Sequence, residues 1–336
     1  MSLRYLSVCS GIEAASVAWR PLGWTPVAFS EIDPFACAVL AHHYPEVPNR
    51  GDLRRFQEWP DARVDVLVGG TPCQSFSRAG ARGGLDDPRG HLALVFLECV
   101  ARTQPRWIVW ENVVGACTSG DGRDLGAFLG ALGDRGYGWA FRILDAQHYG
   151  VPQRRRRLFV VAHRGAWAPA AAVCFEPESL RGDSPTRGAE GRQAAGAAAD
   201  GAGGAVCFRK SRRAQTCDDL ETWVRADVAN TLNAFDTGER DTHLVVADGQ
   251  AQRLTPVEWE RCFGFPDDYT LVQYRGKPAS DGMRYRALGN SMCVPVMSWL
   301  GQRIAAVDRL LVKAPLGSSP GDAPEMLTSI SGEVRP

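Results

Sequence analysis

"VDVLVGGTPCQSFSRAG", residues 64–80, holds the reading on which the fold turns. An apolar, Val-rich run stops at two glycines, the mark of a short buried strand rather than a helix. A structural cysteine belongs inside such a run. Cys73 comes just past its end, after Thr71 and Pro72, in a stretch of Gly, Ser and Arg. The strand therefore delivers a thiol to the rim of a sheet.

Similar runs flank it on both sides. "LRYLSV" ends before Cys9, a helical stretch follows at 13–20, and "TPVAFSEID" follows that. Beyond Cys73 an amphipathic stretch, 91–103, precedes "RWIVWENV"; "WAFRILDA" and "RRLFVVAH" look like two further strands. Alternating strands and helices predict an α/β fold, a parallel sheet with helices on both faces. The pattern changes after residue 164. Residues 181–205 hold fifteen Gly or Ala among twenty-five and read as a flexible insertion, and 206–250 is strand-like but polar. Thr255, Pro256 and Glu258 in "TPVEWERCFGF" predict a capped helix start. A last helix is expected over about 294–312, packed on the first strand, and the tail 314–336 reads as disordered.

Composition narrows the function. No apolar run reaches membrane-spanning length and no leader pattern is visible, so a cytoplasmic protein with no membrane partner is expected. The ten cysteines form no CxxC pair, and Cys9, Cys37, Cys99 and Cys293 lie in apolar runs, so reduced thiols are expected. Six histidines without metal-ligand spacing predict no metal site. Net charge is zero, so only local basic clusters, Arg154–Arg157 and Arg209–Arg213, hint at nucleic acid.

Ligands of open parallel sheets bind beyond the carboxyl ends of the strands. After the first strand comes "CSGIEAAS", residues 9–16, where Ser10 and Glu13 fit a capping box and Gly11 lets backbone approach a ligand. Glu31 follows the second strand, twenty residues past Gly11, the spacing of a ribose-binding carboxylate. Asp52 follows in "GDL". The loop is not a G-x-G-x-x-G pyrophosphate loop, so S-adenosylmethionine, a nucleoside without phosphate, fits better; ordinary turn chemistry would give the same residues.

Cys73 and Glu111, each following its strand, fall on one rim. A thiolate and a carboxylic acid suit attack on cytosine: the thiolate adds to C6, the acid assists at N3, and C5 becomes nucleophilic.

These motifs resemble the cytosine-5 DNA methyltransferases, of the compact bacterial or phage type. "CSGIEAAS", Glu31, "GDL", "TPCQSFS", "DPRGHL", "ENV", "QRRRRLF", "RLTPVEWERCFGFPDDY" and "RALGNSMCVPV" occur in the family's order over nearly the whole chain. The resemblance implies a Rossmann-like methyltransferase domain with a mixed, mostly parallel sheet over 1–163 and 284–313, and a smaller target-recognition domain over 164–283. It implies Cys73 as nucleophile, Glu111 as acid, and Arg155 and Arg157 as their support. S-adenosylmethionine would be held by Cys9, Ser10, Gly11, Ile12, Glu31, Ile32, Asp52, Leu53, Pro72, Leu92, Asn290 and Ser291. Double-stranded DNA would meet Gln74, Ser75, Ser77, Arg78, Arg89, Gln153, Arg209, Arg212, Thr231 and Leu232, with a monomeric enzyme and a possible cognate restriction endonuclease. Trp259, Phe263 and Phe265 read as core. The family's F-x-G-x-G-G loop is altered here: Cys9 replaces the aromatic, and Glu13 and Ala14 replace two glycines. Methylation of tRNA cytosine and non-catalytic DNA binding are the competing readings.

Overall fold

The run that ends at Gly69 is the third strand of a six-stranded sheet in the computed structural model, which describes residues 2–71, 92–176, 206–212, 222–225, 229–232, 243–247, 250–252 and 254–313. Its strands are β1 (Arg4–Val8), β2 (Thr25–Ser30), β3 (Val66–Gly69), β4 (Trp107–Val113), β5 (Tyr137–Asp145) and β7 (Arg156–Arg164), with the two-residue β6 (Gln153–Arg154) standing apart. The order is β2-β1-β3-β4-β7-β5. The first four strands are mutually parallel, whereas β7 runs antiparallel to both neighbours. The mixed, mostly parallel sheet therefore forms as expected.

Alternation along the strands divides two cores. Tyr5, Val66, Val68, Trp107 and Val109 face one side, and Leu6, Val8, Leu67, Ile108 and Trp110 the other. Both faces are covered, which is why these strands read as continuous apolar runs. Helices α1 (Ala14–Trp19) and α2 (Pro34–His43) join the first core; α3 (Leu92–Thr103) and α4 (Arg123–Asp134) cover the second. A short helix, α5 (Ala168–Cys174), follows β7.

Three expectations change. The helix after β1 begins at Ala14, not at Ser10, and its N-cap is Glu13, whose Oε1 accepts from Ser16 N–H at 3.2 Å. Ser10 instead ties β1 to β2: its N–H donates to the Ser30 carbonyl and its Oγ to the Ser7 carbonyl. Second, the final helix rests on α1 and α5 rather than on the first strand. The Met297 carbonyl accepts from Trp19 Nε1 at 2.8 Å, and a Cβ at Gly301 would meet the Trp19 ring at 2.4 Å. Only glycine permits that approach.

Third, residues 254–283 pack with the larger unit. Helix α6 (Pro256–Phe263) starts with the expected Thr255–Glu258 capping box, and its Trp259, Cys262 and Phe263 share a core with Ile12 and Leu288. Tyr269 Oη donates to the Ile12 carbonyl at 2.9 Å. Buried Glu260 accepts from Arg284 at 3.1 Å and from Thr270, fastening α6 to α7 (Asp281–Asn290), ahead of α8 (Val294–Lys313). The apolar face of α6 explains the placement: it has a complementary core to enter.

The polar stretch after 205 forms an antiparallel sheet, ordered β12-β11-β8-β9, from β8 (Val206–Arg212), β9 (Thr222–Arg225), β11 (His243–Ala247) and β12 (Gln250–Gln252). Between them β10 (Ala229–Asn230) pairs in parallel with β6. The proposed insertion at 181–205 and tail at 314–336 lie outside the described residues. Among the described residues no helix is long and apolar enough to cross a membrane.

Candidate active site

The carboxyl ends of β1 to β4 open into a cleft of about 630 Å³, closed on its far side by α7. Cys9, Gly11 and Ile12 line it after β1, Glu31 and Ile32 after β2, Asp52 and Leu53 after the next loop, Leu92 at the start of α3, and Asn290 at the end of α7. Glu111, Arg155 and Arg157 line the same space. Residues chosen for two separate tasks thus share one cavity.

The Glu31 carboxylate is aimed by backbone. Gly11 N–H donates to Oε2 at 2.7 Å, and Ile32 and Asp33 N–H donate to Oε1 at 2.8 and 2.7 Å. Gly11 reaches it in a left-handed turn, φ 56°. Beside it Ile32 is 63% exposed, an apolar side chain left uncovered on the cleft wall. Asp52 begins a short 3₁₀ turn, accepting from Arg54 N–H at 3.0 Å and pairing with the Arg54 guanidinium at 2.5 Å. That pairing holds its carboxyl below the usual range.

Glu111, on β4, is largely enclosed, with 14% of its side chain exposed, and its Oε1 pairs with Arg157 Nε at 3.2 Å. Burial pushes its pKa up, with Arg157 and then Arg155 opposing. Antiparallel β7 is what brings Arg157 opposite Val113, at the end of β4. Gly70 makes room for the acid: a Cβ there would stand 3.0 Å from Glu111 Oε2. The next residue, Thr71, is clamped twice by β4. Its Oγ1 accepts from Trp110 Nε1 at 2.9 Å and its carbonyl from Asn112 Nδ2 at 3.0 Å. Sequence reasoning missed Trp110, Asn112 and Gly70, which read as ordinary strand residues. The chain thus enters its next segment pinned against Glu111. Pro72, Cys73, Gln74, Ser75, Ser77, Arg78 and Arg89 lie outside the described residues.

The C-5 cytosine-specific DNA methylase family model matches residues 3–179 and 177–306. The chain belongs to that family. A phage P1 protein named DNA N-6-adenine-methyltransferase is 33% identical over 460 aligned residues, covering 90% of this chain and 61% of that protein. The chain thus spans less than two thirds of that relative. Type II methyltransferase M.HpaII of Haemophilus parainfluenzae is 28% identical, covering 89% of this chain and 88% of the relative. Type II methyltransferase M2.BsuMI of Bacillus subtilis is 26% identical, covering 90% and 75%. Among solved structures, S. pombe Dnmt2 superposes with a TM-score of 0.65 at 18% identity over 91% of this chain and 99% of its own, a likeness of fold.

The chain departs from expectation on the side assigned to DNA. Gln153 has 0% exposure and donates to the Cys262 carbonyl at 3.3 Å; with no free surface it does not reach a duplex in this conformation. Leu232 is likewise buried, and Thr231 donates to the Arg154 carbonyl at 2.6 Å. The reason is the β6–β10 pairing, which presses this segment onto the core. Arg155 is buried too. It donates to the carbonyls of Leu232 (3.3 Å), Gly289 (3.1 Å) and Ser291 (2.7 Å), and its guanidinium lies 5.0 Å from the Phe263 ring centre. Burial lowers its pKa to about 9. Arg155 therefore joins distant segments, while Arg157 meets the acid. Ser291 contributes its carbonyl to this tie, and its Oγ donates to the Met292 carbonyl at 3.0 Å. Backbone register puts Arg209 and Arg212 on β8, opposite Val224 and Thr222 of β9.

Glu13, standing where the family pattern has glycine, keeps a left-handed backbone, φ 65°, and is 1% exposed. Burial raises its carboxyl to about 7. In the unfolded chain the same group ionises near 4.5. Between those values the folded protein keeps a proton that the unfolded chain has released, so stability falls as pH rises through this window. The loss is on the order of 3 kcal/mol. Urea unfolding at pH 5 and pH 8 should show it, and Glu13→Gln should flatten the difference; an equal slope in the variant would refute the assignment.

Proposed function

We propose that the protein is an S-adenosylmethionine-dependent methyltransferase acting on C5 of cytosine in duplex DNA, through transient bonding of Cys73 to C6. The observation that carries this reading is a largely enclosed carboxyl, Glu111, packed against Gly70 at the strand end leading to Cys73. Family membership supports the substrate.

The cleft suits the cofactor. Gly11 gives close backbone approach, Ile32 offers an uncovered apolar surface for a flat base, and Glu31 and Asp52 offer acceptors for ribose hydroxyls and an adenine amino group. Leu92 and Asn290 complete the walls. S-adenosylmethionine supplies, when bound, a methyl group on a positively charged sulfur. The rest of the chemistry belongs to the chain. The target cytosine must leave the stack to expose C6. Cys73 as thiolate adds there while Glu111, whose pKa burial raises, donates at N3 in its protonated form, so the ring becomes an enamine with a nucleophilic C5. After C5 is methylated, loss of its proton to water, departure of the thiolate and return of the N3 proton to the Glu111 carboxylate restore the ring. Arg157 keeps the Glu111 carboxyl oriented. The antiparallel sheet of 206–252 is the segment we assign to DNA, with Arg209 and Arg212 on phosphates.

The name of the phage P1 relative raises adenine N6 as a second target. An exocyclic amino nitrogen already carries a lone pair and needs no covalent activation, so a thiol–acid pair favours cytosine. Labelled cofactor offered with DNA or with tRNA, then bisulfite and N6-methyladenine mapping of DNA from expressing cells, decides. Label in DNA at bisulfite-resistant cytosines is expected; label confined to tRNA or to adenine would end this reading.

A further inference from the structure

Glu31 and Asp52 arise from separate loops, and one side chain joins them. Asn49 Oδ1 accepts from Glu31 N–H at 3.0 Å and from Gly51 N–H at 3.1 Å. Its Nδ2 donates to the Glu31 carbonyl at 3.1 Å and meets Cys37 Sγ at 3.2 Å, which itself donates to that carbonyl at 3.2 Å. Two backbone bonds and one serine hydroxyl bring the loops alongside: Phe29 N–H donates to the Pro48 carbonyl, Arg50 N–H to the Phe29 carbonyl, and Ser30 Oγ to the Gly51 carbonyl at 2.7 Å. Those ties stop at Ser30 on one loop and at Gly51 on the other. Asn49 is the side chain that reaches Glu31 itself and the residue before Asp52. Only an amide presents an acceptor and two donors in one plane.

We infer that Asn49 is a positioning residue: it sets the spacing between Glu31 and Asp52, so that one nucleoside uses both carboxylates. The inference rests on the assignment of Glu31 to ribose and Asp52 to adenine made above. If the two carboxylates are coupled through Asn49, loosening it must weaken both contacts at once.

The test is calorimetric binding of S-adenosylhomocysteine, its 2′-deoxy form and its form with hydrogen in place of the 6-amino group, to the full chain. In the parent protein each analogue should bind about tenfold more weakly, the scale of one lost hydrogen bond to a charged group. Asn49→Ala should weaken S-adenosylhomocysteine by about tenfold and shrink both analogue penalties together. Its melting temperature and its KM for DNA should stay at the parent values. Asn49→Asp keeps the volume and Oδ1 but removes the donor to the Glu31 carbonyl; it should behave like the alanine variant, and provides the readout if that variant fails to fold. Equal binding of all three ligands by the parent protein would remove the ribose and adenine assignments, and the inference with them. Penalties present in the parent protein but unchanged in both variants would overturn the inference alone.

Discussion

Cys73→Ser is expected to lose methyl transfer by about 10³-fold or more, the scale for removing a covalent nucleophile, while S-adenosylhomocysteine binds as it does to the parent protein. A serine hydroxyl at this position stays protonated at neutral pH and cannot add to C6. The thiol differs because its ordinary pKa lies only a little above neutrality and a positive surrounding lowers it. The cofactor contacts proposed here arise from Gly11, Glu31, Ile32 and Asp52, on other loops of the cleft, and do not depend on the sulfur. A paired measurement sharpens the result. With 5-fluorocytosine at the target, fluorine cannot leave as the proton does, so the parent protein should form an adduct with DNA that survives denaturing gel electrophoresis. Cys73→Ser should form none. An active preparation that gives no adduct, or a serine variant with near-normal turnover, would refute attack by the thiol.

Glu111→Gln is the second large effect: a fall in kcat of about 10² to 10⁴, the range for removing a general acid. The amide keeps the shape of the group and a donor, so folding and cofactor affinity should hold. The pH profile carries the sign. In the proposed role of acid Glu111 must be protonated; burial raises its pKa, so the rate should fall as pH climbs through that raised value. In Glu111→Gln this limb should vanish. Arg157→Ala removes the positive partner at 3.2 Å that favours the ionised form, so the limb should move to higher pH. A limb that stays in place in Arg157→Ala, or persists in Glu111→Gln, would assign the titration to another group.

Much of this architecture was legible from residue order. The strands stood out because both of their faces are covered, which selects unbroken apolar runs such as "VDVLV". The α6 cap was legible because Thr255, Pro256 and Glu258 act within four residues of one another. The same reasoning misplaced the start of α1, since Glu13 enters it from a left-handed conformation that the Ser10–Glu13 spacing does not reveal. The burial of Gln153 and Arg155 was hidden for a related reason. Polar residues in a basic run suggest a solvated edge, yet their partners are carbonyls some 77 to 136 positions away, invisible to local pattern. Asn49 gave no signal, because an asparagine between Pro48 and Gly51 looks like any turn residue. The carboxylates were found because position at a strand end is itself informative in this class of sheet.

The wall that α7 contributes has a bearing on when the protein becomes competent. Translation makes β1 to β4 first, while Met283, Arg286, Ala287 and Asn290, which face those strands across the cleft, come more than 160 residues later. A nascent chain that has not yet reached α7 therefore carries Cys73, Glu111, Glu31 and Asp52 without the enclosure that would hold a nucleoside among them. Competence to enclose a nucleoside arrives only once α7 has been made.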